Sequence, residues 1–444
     1  MLEDFIIVIL GIILGTASGL LPGIGTSVSL IMSVPLLMLL EPNQLFLFYM
    51  ALLSTAQFTG TIPSVFLNYP GETNSMPAVI EGEKFRRRKQ SNLAIGLCAV
   101  GSVFGSLIAV VLTLLIVPYS LGWFKLFLQD NFKIVMFGFV FFAGLYAFNK
   151  QRYFLNLLLM LIGYFLAMIG ADPFTGSFRY TLGISSLENG IPFYPLILAI
   201  MVAPIMFKNF SNEFTSAYVE EKLSNIKSVF FLFIRNITSS LRGAIIGFMA
   251  GLVPGLGTTL SSNASYAIES KLQKNYPAKK ILSAETANNS GGFALILPFV
   301  LIGIPLTGSE IILYNYLVDA GWSPFQFGNL EKNAIFLMQG LTPWFVFVNI
   351  IALIIAWPLA RTMIRFMNKL KKHISTFILS VCLLTTVYLG LDDHQLIYYL
   401  VCLIVFSSIT ISFKKINFTP ILFSFMLGSE FEFVVARYLT IWTQ

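Results

Sequence analysis

The sequence predicts an all-α polytopic membrane protein with about 10–12 membrane helices in two inverted-topology repeats, carrying broken helices or re-entrant hairpins. Three observations lead there. Hydrophobic residues make up 56% of the 444 and charged residues only 11%, far from the composition of a soluble domain. Apolar runs follow one another from end to end, which calls for spanning helices rather than a barrel. One stretch occurs twice: Gly19-Leu20-Leu21-Pro22-Gly23-Ile24-Gly25-Thr26-Ser27 returns as Gly251-Leu252-Val253-Pro254-Gly255-Leu256-Gly257-Thr258-Thr259. In both copies an apolar run stops at Pro-Gly-x-Gly and another begins with paired hydroxyl residues. Proline removes a backbone donor and glycine permits positive φ, so each copy marks a break that leaves carbonyls and N–H groups without helical partners.

Taken in order, residues 5–21 and 26–40 are each short for a spanning helix, so they form one kinked crossing or a hairpin. The start, Met1-Leu2-Glu3-Asp4, has no basic segment before its apolar run, so no removable signal peptide is expected. A run over 45–67 ends at Asn68-Tyr69-Pro70-Gly71-Glu72, and the densest basic cluster, Lys84 to Lys89, follows. Runs over 92–117, 131–148, 153–171 and 190–207 complete a first membrane repeat, 1–207. A polar segment, 208–242, is expected to be a cytoplasmic linker. The second repeat, 243–444, has a broken pair over 243–270, a run over 283–304 stopped at Ile304-Pro305-Leu306-Thr307-Gly308, and runs over 333–360, 375–391, 395–412 and 419–441. The two breaks are similarly spaced in each half.

Basic residues decide orientation, because short cytoplasmic loops are enriched in Lys and Arg. Placing 84–89, 149–152, 208–242, 271–280, 361–372 and Lys414-Lys415 all on the cytoplasmic side requires each broken pair to return to the side it left. Each half is then a hairpin plus five crossings, an odd number, which inverts the second half and puts both termini outside. Orientation also accounts for the net charge of +7, so no nucleic-acid partner is expected; the partner of this surface is the lipid bilayer. Cys98, Cys382 and Cys402 lie in apolar runs without metal-type spacing, and Asp392-Asp393-His394 reads as a solvated turn.

Candidate binding residues gather at the breaks. A helix beginning at Thr26-Ser27 or Thr258-Thr259 presents free N–H groups backed by its dipole, which favours an anion without a buried arginine. Gly23, Gly25, Gly255 and Gly257 let backbone approach a ligand. The second breaks add Thr61, Asn68, Pro70 and Gly71 in one half and Pro305 and Thr307 in the other. Asn288 and Asn289 lead into a strongly apolar run, where an amide is costly unless it bonds something. Freed carbonyls and hydroxyls near Pro22, Ser27, Pro254, Thr259, Asn263 and Asn288 suit Na⁺. Glu72 and Glu285 are carboxylates for coupling or for structure. The expected ligand is a small organic anion with Na⁺ or H⁺ as coupling ion and no further cofactor. An intramembrane enzyme would need paired acid–base or metal residues in the apolar runs, and none is written there; a passive channel differs by being unable to accumulate its solute.

These residues also resemble a known family. The order Gly-x-x-Pro-Gly-x-Gly, Asn68-Tyr69-Pro70-Gly71-Glu72, the glycines from Ala94 to Gly105, Arg179-Tyr180-Thr181-Leu182-Gly183, the second Pro-Gly-x-Gly, Glu285-Thr286-Ala287-Asn288-Asn289, Gly303-Ile304-Pro305 and Leu427-Gly428 with Glu432 is similar to the large membrane subunit of tripartite tricarboxylate transporters, the TctA type. The likeness covers nearly the whole chain. It departs at Phe58-Thr59-Gly60-Thr61, where the family has Tyr-Gly-Gly-Ser. The resemblance implies a secondary transporter of the cytoplasmic (inner) membrane of a prokaryote that takes up carboxylates. It also implies two partners, a periplasmic substrate-binding protein and a small membrane subunit; a stand-alone carrier without receptor is the alternative.

Overall fold

The computed structural model describes residues 2–21, 25–67, 73–128, 153–171, 177–204, 225–252, 257–303, 305, 307–322, 330–392, 394–413, 416–422, 424–425 and 428. Among them the chain is an all-α polytopic membrane protein, and extended structure is limited to a two-residue ladder pairing Gly170–Ala171 with Phe178–Arg179. The longer helices of the first half are α1 (Leu2–Leu20), α2 (Gly25–Met32), α3 (Pro42–Thr59), its continuation α4 (Thr61–Leu67), α5 (Met76–Arg87), α6 (Ser91–Leu128) and α7 (Tyr153–Ala167), with short helical pieces at Val34–Leu37 and Phe193–Ile197. Then come α8 (Ile226–Arg235), α9 (Ile237–Gly251), α10 (Gly257–Leu272), α11 (Pro277–Ile302), α12 (Gly308–Asp319), α13 (Thr342–Asp392) and α14 (Leu396–Ser412). Among the described residues four stretches are long and apolar enough to cross a bilayer: Leu2–Leu20, Pro42–Leu67, Ser91–Gly122 and Leu330–Ile355. The pair α8 and α9, bent by 71°, makes a fifth if counted as one span.

Two helices form the centre. α3 starts at Pro42 behind a capping box in which the Glu41 N–H donates to Gln44 Oε1, and from Leu45 to Thr59 every residue is buried. α11 is likewise buried from Lys280 to Ile302 except at Pro298. A helix buried on every side belongs inside a bundle. The two run antiparallel, because Phe46 meets Phe299 with ring centroids 5.5 Å apart while Gln57, further along α3, lies on Gly292, earlier in α11.

Each central helix is gripped by a glycine stripe. Gly11, Gly15 and Gly19 of α1 rest on the backbone at Phe48, Leu52 and Ala56 of α3. Gly243, Gly247 and Gly251 of α9 rest on the backbone at Ser283, Ala287 and Gly291 of α11. Lipid tails are as apolar as leucine, so helices associate by close backbone packing, which small residues permit. The stripes precede Pro22 and Pro254 at the same spacing, and the three carbonyl positions precede Pro70 and Pro305 at the same spacing. The two halves therefore repeat one contact residue by residue.

Several stretches expected as loops are helical, among them the basic cluster 84–89, which lies in α5 as far as Arg87. Part of the segment read as a linker is helical: α8 is capped by Asn225, whose side chain accepts from the Lys227 N–H, and buries Val229 and Phe233 while exposing Phe230, Phe231 and Ile234. That is the pattern of a helix lying in the interface. Residues 208–224 of the expected linker are outside the described residues. The basic stretch 361–372, read as a loop, lies within α13; it contains no glycine or proline, and Arg, Lys, Met and Leu are good helix formers.

Candidate functional site

The second Pro-Gly-x-Gly is the turn of an antiparallel hairpin. Ser261 Oγ donates to the Gly247 carbonyl at 2.9 Å, and Ser239 Oγ donates to Glu269 Oε1 at 2.8 Å; both pairs are symmetric in sequence about Pro254. α10 therefore folds back along α9 rather than continuing it. At the open end Glu269 is buried and takes Arg242 Nη2 at 2.9 Å. Replacing Glu269 with Gln is expected to lower stability by about 2 kcal/mol, less than for a fully buried pair because Arg242 is 39% exposed. Thermal unfolding of the purified protein in detergent, with Arg242→Met closing the double-mutant cycle, checks the coupling. The first copy also turns back locally, since Ser18 Oγ donates to the Gly25 carbonyl at 2.9 Å.

Both hairpins restart their helices on a glycine of positive φ, +61° at Gly25 and +22° at Gly257, a region that side chains strain to occupy. Thr26 and Ser27, or Thr258 and Thr259, then stand in the first turn, where backbone N–H groups have no helical acceptor. Each restarted helix packs on the element that follows the second break of the opposite half. α2 packs on α12, and the turn Thr73–Ser75 packs on α10. Asn74 Nδ2 reaches Thr258 Oγ1 at 3.5 Å. A Cβ placed on Gly257 would stand 3.6 Å from the Thr307 methyl.

The break at Pro305 is held open by its own chemistry. α11 ends on Gly303 in the left-handed conformation at φ +74°. α12 begins with a capping box: Thr307 Oγ1 accepts from the Glu310 N–H at 3.4 Å, and Glu310 Oε2 accepts from the Thr307 N–H at 3.1 Å. Ser309 Oγ lies 3.2 Å from both Thr307 Oγ1 and Tyr49 Oη. Helix starts, hydroxyls and the Asn74 amide thus come together from both halves in one partly buried region.

The amides of α11 divide. Asn289 Nδ2 donates to Ser102 Oγ of α6 at 2.8 Å and to the Glu285 carbonyl at 3.2 Å, so it fastens α11 to α6. Asn288 is fully buried with the Glu285 carboxyl beside it, and neither amide atom makes a hydrogen bond of good geometry. Glu285 neighbours it one turn away, with both carboxyl oxygens also short of good hydrogen-bond geometry. Asn263 Nδ2 bonds the Thr259 carbonyl at 2.8 Å, and the Thr61 hydroxyl bonds the Phe58 carbonyl at 2.8 Å. The structure thus brings Gly257, Thr258 and Thr307 together and turns Asn289 and Thr61 to neighbours of their own. Pro22, Gly23, Asn68, Pro70, Gly71, Glu72, Pro254 and Gly255 lie outside the described residues. Asn74 closes the expected second break Pro70-Gly71-Glu72-Thr73-Asn74 but was not counted among the binding residues; sequence reasoning passed over Tyr49, Ser309 and Glu310, for the last of which the Thr-x-x-Glu spacing of a capping box was the available signal.

The family model described as "Tripartite tricarboxylate transporter TctA family" matches residues 5–424. The chain is 26% identical over 327 residues to an uncharacterised 52.8 kDa protein of Agrobacterium vitis from the TAR-I ttuC' 3′ region. That match covers 71% of this chain and 63%, just under two thirds, of the relative's own length. It is 23% identical over 410 residues, 90% of each chain, to an uncharacterised protein of Methanocaldococcus jannaschii. No solved structure matches significantly. With a family model running from its first helix to residue 424, the chain belongs to the tripartite tricarboxylate transporter TctA family.

Proposed function

We propose that this protein is a secondary carrier that imports small organic anions, di- or tricarboxylates, with Na⁺ or H⁺ as coupling ion. It is the large permease subunit of a tripartite system in the inner membrane of a prokaryote, working with a periplasmic substrate-binding protein and a small membrane subunit. Residues 1–207 and 243–444 act as inverted repeats with both termini outside. The observation that carries this reading is the packing of each restarted helix, α2 and α10, on the element that follows the second break of the other half. Such a site offers N–H and hydroxyl donors to a carboxylate, and carbonyl and hydroxyl oxygens to Na⁺. Antiparallel α3 and α11, each under its own glycine stripe, support the inversion. Alternating access then moves one half against the other around a fixed centre.

Proteoliposomes holding the purified chain test the reading with labelled citrate and succinate, with and without an inward Na⁺ or H⁺ gradient. Accumulation driven by either gradient is the expected result, and the ion that drives it identifies the coupling. If the chain alone is silent, the receptor and small subunit are added. Silence with both present and citrate bound by the receptor would overturn the carrier reading, and equilibration without accumulation would make it a channel.

A further inference from the structure

α3 and α11 cross at a pair of matched residues. Counted back from Pro70 and Pro305, Gln57 and Gly292 hold the same place. The Gln57 amide lies so close over Gly292 that a Cβ there would meet Oε1 at 2.5 Å and Nε2 at 2.7 Å. Each residue follows the one on which the third glycine of a stripe rests, Ala56 under Gly19 and Gly291 under Gly251. Those glycines stand just before Pro22 and Pro254, so both hairpins approach their tips at the level of this pair, one on either side. Where two matched helices meet at matched residues, their symmetry axis passes between them. Gln57 therefore sits at the centre between the two glycine stripes.

The match is broken chemically at this one point. One half supplies glycine, which leaves a space, and the other fills it with a primary amide. Gln57 is 3% exposed, and its Nε2 has no hydrogen-bond partner. A leucine or methionine would fill the same space without burying an unpaired donor, so packing does not account for the amide. An N–H donor clamped between two helix backbones, and lacking an acceptor, is arranged for an acceptor that arrives with a ligand. Nε2, the amide's donor, suits a carboxylate oxygen, whereas a cation would take Oε1, and the two are separated by the test below.

We propose that Gln57 binds the transported anion and sets its specificity, Nε2 donating to a carboxylate oxygen at the crossing of α3 and α11. This assignment rests on the carrier reading above. A buried donor built to meet a ligand oxygen discriminates against solutes that leave it unpaired.

The test is citrate uptake by proteoliposomes of the full chain, with receptor and small subunit where uptake needs them, measured against citrate and against the coupling ion separately. Gln57→Leu is expected to raise the half-saturating citrate concentration by about tenfold or more, as loss of one hydrogen bond to a charged group implies, and to leave half-saturation by the coupling ion unchanged. Gly292→Ala, which must displace the amide, is expected to reproduce that split with Gln57 intact. Gln57→Met serves if the leucine variant is not recovered folded. A citrate half-saturation equal to wild type in both the position-57 variant and Gly292→Ala overturns the assignment and spares the carrier. A shift confined to the coupling-ion curve overturns it also, by making the amide an ion ligand. Wild-type vesicles that take up neither citrate nor succinate remove the carrier reading and this assignment together.

Discussion

Gly247→Leu is expected to destabilise the protein by about 3 kcal/mol or more and to abolish transport. A Cβ at Gly247 would stand 2.5 Å from the Ala287 Cα and 2.7 Å from its carbonyl carbon. Those are backbone atoms of a helix buried on every side, so they cannot turn aside as a side chain would. α9 would have to lift from α11, taking Gly251 and the hairpin tip with it and opening the site at Gly257. Gly15→Leu, on the matching contact with Leu52, should act alike. Gly122→Ala is the control, because a Cβ there meets nothing within 4 Å, and as a helix glycine replaced by alanine it should leave stability unchanged or raise it by up to about 1 kcal/mol. Unfolding midpoints in detergent and size-exclusion profiles read both. A Gly247→Leu protein that unfolds with the wild-type midpoint would mean that the stripes do not hold α9 on α11.

Asn288→Leu should separate function from stability. Asn288 is fully buried in α11 with the Glu285 carboxyl beside it and no hydrogen bond of good geometry to either amide atom. The substitution conserves volume and removes an amide that the fold satisfies poorly, so the midpoint is expected to change little. If those atoms meet substrate or coupling ion, uptake should fall by about ten- to a hundredfold. Asn289→Leu should do the reverse, costing stability first, because its amide is committed to Ser102 and the Glu285 carbonyl. Uptake at the wild-type rate by Asn288→Leu would remove Asn288 from the site. A joint fall of midpoint and uptake would make it a packing residue.

Some of this was legible in local chemistry. The composition makes the chain a helical membrane protein, because a bilayer leaves few other ways to satisfy an apolar backbone. The doubled Pro-Gly-x-Gly announces two breaks, because proline and glycine act on their own backbone wherever they stand. The glycine stripes were present in the sequence as two Gly-x-x-x-Gly-x-x-x-Gly runs at one spacing before each proline. Their meaning was not, since a small residue marks a contact without saying with what.

The basic stretch 361–372 shows the limit from the other side. Charge was read as loop, but charge governs which side of a membrane a segment occupies and does not break a helix. Asn288 and Asn289 show it again. Adjacent in sequence and alike in chemistry, they point to different neighbours because successive residues of a helix diverge by about 100°. Which of them is spoken for depends on where α6 lies.

What the sequence determined by itself was therefore the solvent of the fold, its helical class and the places where its helices break, all properties of short stretches. What only the tertiary structure decided was which distant residues meet: α10 turning back on α9, Asn74 reaching Thr258, Tyr49 reaching Ser309, and Gln57 settling on Gly292. Those meetings depend on the register between helices, set by the glycines of α1 and α9 on backbone that lies far from them along the chain.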